Sequence, residues 1–158
     1  MSNPDVIEMA AGQSYGDITL EFDAPVAALF RAHADAVLYA RWIGPRALET
    51  EVTHWDFRTG GGYAFTQTDP DGNAYSFRGV FHTIRENELI IQTFEYLGTP
   101  DEISLDCIRF EELPGGRSRI VDHSVFPSVE VLEGMLADGM EWGMNEGYEK
   151  LDELLAEG

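Results

Sequence analysis

The chain has 158 residues, 44% of them hydrophobic and 11% aromatic, a composition that folds around one core and is too apolar for disorder. Its 29 acidic and 10 basic residues give a formal net charge of −19. Such a surface repels phosphate backbones and anionic lipid, so neither nucleic acid nor membrane is expected as a partner.

One cysteine, Cys107, excludes an intramolecular disulfide and a cysteine-based metal cluster. No apolar run reaches the roughly 20 residues that cross a bilayer. The N-terminus, MSNPDVIEMAAGQSYGD, has no basic stretch ahead of an apolar one, and the expected location is cytoplasmic. Residues 1–14 read as a flexible lead-in and 15–158 as a single domain. Lys150 is the only lysine beside nine arginines, which fits a GC-rich genome or a salt-adapted surface.

Residues 17–23 (DITLEFD) alternate apolar and polar at Ile18, Leu20 and Phe22, as a half-buried strand does. Pro25 opens a helical stretch, with Asp23 as the expected cap. A second short helix covers 35–41 and is broken by Trp42-Ile43-Gly44-Pro45. Strand patterns follow at 48–58, 63–68, 74–84, 88–96, 103–112 and 118–126. The turns between them include Gly60-Gly61-Gly62, Asp69-Pro70-Asp71-Gly72-Asn73 and Leu113-Pro114-Gly115-Gly116. Short connections make neighbouring strands antiparallel.

The last element reads as one helix of about 27 residues, capped by Ser128. Leu132, Leu136, Met140, Met144, Leu151 and Leu154 form its apolar stripe. Gly143 and Gly147 lie on or beside that stripe. A glycine inside a helix costs about 0.8–1 kcal/mol relative to alanine, so the sheet or a ligand is expected to approach the backbone there. The element order predicts an α+β fold: seven antiparallel strands, two short helices after the first strand, and a long C-terminal helix packed on one sheet face.

Several segments, taken in order, resemble the SRPBCC superfamily of START-like, helix-grip proteins, and within it the homologues of the activator of Hsp ATPase. These are Phe22-Asp23-Ala24-Pro25 with Val26 and Phe30; Trp42-Ile43-Gly44-Pro45; Asp56-Phe57-Arg58-Thr59-Gly60-Gly61; Phe77-Arg78-Gly79-Val80-Phe81; Phe94-Glu95-Tyr96; His123-Ser124-Val125-Phe126-Pro127-Ser128; and Gly139-Met140-Glu141. The resemblance spans roughly residues 17–156. It implies a curved sheet wrapped around the terminal helix, with a cavity between them. Relatives include lipid carriers, polyketide cyclases and aromatases, hormone receptors and chaperone co-factors. Two positions depart from the pattern: Met144 stands where many relatives have Trp, with Trp142 two residues earlier, and Asp122 where an apolar residue is usual. The eukaryotic co-chaperone has a further N-terminal domain without a counterpart in this sequence.

Three functions follow as expectations. The first is binding of an apolar or aromatic small molecule. Its walls would be Trp55, Tyr63, Phe65, Phe77, Phe81 and Phe94 from the sheet, with Met140, Trp142 and Met144 from the helix beside Gly143 and Gly147. His54, Gln92, Asp106 and His123 are its candidate polar contacts. The second is a polyketide cyclase- or dehydratase-like enzyme using an acid–base pair. The third is contact with a protein partner, a chaperone included; a homodimer is left open.

Asp106 and Asp122 alternate in phase with Ile108 and Ile120. If that face looks inward, burial raises both pKa values; if outward, they are solvated charges. His33 is expected to be solvated and His82 exposed. The four histidines show no metal-ligand spacing, and no phosphate or dinucleotide motif occurs, so neither metal nor cofactor is expected.

Overall fold

The computed structural model describes residues 3–8 and 12–157. Period-two alternation builds its sheet: in β2 (Tyr15–Phe22), Ile18, Leu20 and Phe22 are buried while the residues between them are not. Helices α1 (Val26–Ala34) and α2 (Ala36–Trp42) follow. The chain then runs as a meander through β3 (Glu49–Asp56), β4 (Gly62–Thr68), β5 (Ala74–Arg85), β6 (Leu89–Tyr96), β7 (Ser104–Leu113) and β8 (Arg117–Val125). Every pairing is antiparallel, and β8 closes back onto β2.

The seven predicted strands are thus β2 to β8. An eighth, β1 (Asn3–Glu8), extends the edge beside β2, so the lead-in expected over 1–14 contains a strand. Its backbone groups gain a ladder there, a long-range pairing that periodicity does not report.

The predicted terminal helix is two helices, α3 (Val129–Ala137) and α4 (Met140–Ala156). Gly139 has φ +90°, a left-handed conformation that stops one helix and redirects the next. Ser128 caps α3, its hydroxyl accepting from the Val131 amide at 3.1 Å. Asp23 caps nothing: Pro25 is the N-cap of α1, and Asp23 accepts from Arg117 Nε at 2.7 Å.

Helices α1 to α4 cover the inner face of the sheet, joined by Leu29, Phe30, Trp42, Leu132 and Leu151 in one core with Ile18, Phe65, Phe81 and Ile120. Two tryptophan indoles donate to carbonyls near the end of α1, Trp42 Nε1 to Ala32 O at 2.8 Å and Trp55 Nε1 to Ala34 O at 2.9 Å. A Cβ on Gly147 would meet Trp42 O at 3.1 Å and Gly44 N at 3.2 Å. What approaches that glycine is therefore the end of α2 and the α2–β3 connection, not the sheet. Gly143 is looser; an added Cβ would sit 3.6 Å from Pro45 Cδ.

Candidate functional site

Between the sheet and α2, α3 and α4 lies a cavity of about 890 Å³. Its aromatic wall comes from alternate residues of the central strands. Tyr63 and Phe65 of β4 meet Phe77 and Phe81 of β5 and Phe94 of β6. Phe77 stacks on both Phe65 and Phe94, with centroids 4.9 and 5.4 Å away. Trp55 of β3 completes this side, and Met140, Gly143, Met144 and Gly147 of α4 line the opposite one. Trp142 also borders the cavity but is 56% exposed, at the mouth rather than inside.

The floor is polar because register brings four side chains together. Gln92 pairs with Asp106, Asp106 with Ser124, and Ile108 with Asp122. Opposed residues in a sheet share a face, so both aspartates look inward. Asp106 accepts from Gln92 Nε2 and from Ser104 Oγ, each at 3.4 Å, and Asp122 accepts from Ser124 Oγ at 3.4 Å. Gln92 Nε2 also reaches Tyr63 OH at 3.4 Å, and that hydroxyl donates to Thr93 O at 2.6 Å.

Two carboxyls this close, away from water, resist ionising together. Burial pushes Asp106 up to about 6, against the pull of hydrogen bonds from Ser124, Gln92 and Ser104. Asp122, only 7% exposed, is raised well above the usual carboxylate range, first by burial and then by the charge of Asp106. Tyr148 of α4 and Tyr39 of α2 complete the surroundings, both phenols raised first by burial, then Tyr148 by Asp122 and Asp106 and Tyr39 by Asp106. The arrangement sets a proton-holding acid beside a more readily ionised one, inside an apolar enclosure.

The sequence profile described as "Activator of Hsp90 ATPase homolog 1-like protein" matches residues 23–156. The chain belongs to this family. Solved structures share its fold. A protein of Arthrobacter aurescens is 26% identical with a TM-score of 0.90, the match covering 99% of this chain and 94% of that one. One from Mycobacterium smegmatis is 24% identical with a TM-score of 0.86, covering 97% of each. The AHSA1 protein of Silicibacter pomeroyi is 22% identical with a TM-score of 0.69, covering 89% of this chain and 97% of that one. No curated protein sequence matches the chain.

In this family member two candidate histidines lie outside the cavity. A β-bulge between Val52 and His54 shifts the alternation of β3. His54 is exposed, on a hollow of the outer surface with Val37 and Thr53. His123 follows Asp122 directly, and consecutive strand residues face opposite ways. It is exposed and holds Asp17 Oδ1 at 2.7 Å. His33, expected in solvent, is buried on α1. Its Nδ1 lies 2.9 Å from Leu29 O, and burial lowers its pKa to about 4, so it is neutral at pH 7. His82 is exposed, as its place in the strand implied.

Tyr39, Ser104, Ser124 and Tyr148 line the cavity without having been singled out in the sequence. Three carried a signal. Tyr148 continues the four-residue spacing of Met140 and Met144, Ser104 shares the phase of Asp106 and Ser124 that of Asp122. Among the described residues, no three His, Cys, Asp or Glu side chains converge as a metal site. No helix among them is long and apolar enough to cross a membrane.

Proposed function

We propose that this protein binds a mostly apolar, aromatic small molecule between its sheet and its C-terminal helices. The observation that carries the reading is the cavity, about 890 Å³, walled by stacked aromatic rings with a few polar groups at one side, as small-molecule sites are.

Thermal unfolding with and without naphthylmethanol, a neutral aromatic probe, tests the reading. A ligand that binds only the folded state raises Tm with concentration. A Cβ at Gly143, on the cavity lining, would meet only Pro45 side-chain carbons at ordinary contact distance, so a larger side chain there is expected to take up cavity volume. The Gly143→Leu variant is expected to keep a single cooperative transition and to lose the ligand-induced rise. A rise of equal size in the variant would count against uptake at this place.

A second reading has its own support in the aspartate pair: acid–base chemistry on a cyclase- or dehydratase-type carbonyl substrate. The protonated carboxyl would donate to the carbonyl oxygen while its ionised neighbour removes a proton from the adjacent carbon. Exchange of α-deuterium from an aromatic ketone, followed by NMR, checks it. Exchange at least 100-fold faster than with Asp106→Asn is expected, within the usual range of about 10²–10⁴ for a positioned acid or base. Equal rates with both proteins would remove this reading.

A further inference from the structure

The charges around the cavity are of one sign. Asp106 and Asp122 stand on its floor, and the exposed Glu130 and Asp138 stand towards its mouth. Among the described residues, neither lysine nor arginine lines it. His33, the lining imidazole, is buried and neutral. A ligand carboxylate entering here would find repulsion and no cationic partner.

Tyr39 of α2 lines the same cavity and is 8% exposed, close enough to Asp106 for that charge, after burial, to raise its phenol. Its hydroxyl adds a neutral acceptor to the two carboxyls. An alkylammonium group has three donors and no acceptor.

Building on the binding reading above, we propose that the cavity selects aromatic amines in their cationic form, the ammonium group lying between Asp106 and Asp122 and the ring lying along the Phe77–Phe94 stack. The cation lets both carboxyls ionise side by side, which they resist when the cavity is empty. Binding therefore releases protons and strengthens as pH rises. The titratable groups facing Asp106 are Asp122 of β8, Tyr63 of β4, Tyr39 of α2 and Tyr148 of α4, with His33 of α1 also on the cavity lining. The three phenols and His33 titrate outside the interval between pH 5 and 8, so the aspartates carry the dependence.

The test is calorimetric titration of the full chain with three probes of one shape, naphthylmethylamine, naphthylmethanol and naphthoate, at pH 5 and pH 8. At pH 8 the amine is expected to bind at least tenfold tighter than the alcohol, and naphthoate not at all. The amine's advantage should shrink at pH 5. Its heat should vary with the buffer's ionisation enthalpy, because protons are released. In the Asp106→Asn, Asp122→Asn double variant the amine should fall to the level of the alcohol. An alcohol that binds as tightly as the amine overturns the charge selectivity and leaves the binding reading standing. An amine preference unchanged in the double variant, or with pH in the native protein, also overturns it. Failure of all three probes overturns both.

Discussion

Alanine in place of Gly79 is expected to lower the stability of the fold by about 2–4 kcal/mol, from overpacking and one lost buried hydrogen bond. A Cβ at this position would collide with the backbone carbonyl of Thr93 and with the Tyr63 ring. Gly79 lies in β5 opposite Tyr63, near a register irregularity between β5 and β6. Its bare backbone lets the tyrosine cross over β5 and place its hydroxyl on Thr93 O of β6, 2.6 Å away, within reach of Gln92. One methyl group thus displaces a wall of the cavity and opens the link from Gln92 to Tyr63. Urea denaturation reads the loss as a lower midpoint at constant slope. A midpoint within error of the native one would mean that Tyr63 has another way to lie.

The second large effect is one of pH. Asp106 and Asp122 are both raised in the folded protein, so above the ordinary carboxylate pKa the native state binds more protons than the unfolded chain. Stability from this source is complete below that pKa and is lost as pH rises through the folded values. For Asp106 the window runs from 3.8 to about 6, and Asp122 extends it upward. At about 1.4 kcal/mol per pKa unit, Asp106 alone is worth on the order of 3 kcal/mol.

The double variant Asp106→Asn, Asp122→Asn carries neutral groups of the same shape. It is expected to match the native protein at about pH 4 and to exceed it by more than about 3 kcal/mol at pH 8. Glu95, held low by the Asp101 amide and Arg78, and Asp69, held low by Asn73, act in the opposite sense. Their stabilisation is lost as pH falls, but both proteins share it, so it cancels in the difference. Parallel pH profiles for the two proteins would refute the burial of the pair.

The residues that carry these effects were legible to different degrees. Phe77, Phe81 and Phe94 could be placed in the wall because aromatic residues at period two within a meander have one buried face to occupy. The phase of β6 was harder, since Ile90 and Ile91 are apolar on both sides; Gln92, Phe94 and Tyr96 are the set that looks into the cavity. On β8 the sequence offered both Asp122 and His123, which alternation forbids from facing the same way. Hydrophobicity alone favours neither, and the choice falls to Ile120, whose burial fixes the phase. His33 was misread because the pattern of α1 shows which residues are polar, not that Trp42 and Phe110 close over it at 4.9 and 5.0 Å.

By itself the sequence determined the order of elements, the seven antiparallel strands, the acidic composition and the aromatic, methionine-rich residues available for a wall. Each depends on residues near one another in the chain, where period, turn chemistry and composition act directly. Only the tertiary structure decided that β1 pairs with β2, that Gly139 splits the terminal helix, and that the α2–β3 connection is what crosses Gly147. It also decided that two aspartates from neighbouring strands share one enclosed floor with Tyr39 and Tyr148. These depend on register and on packing between distant segments, and a shift of one residue in register would have turned both carboxyls out to water.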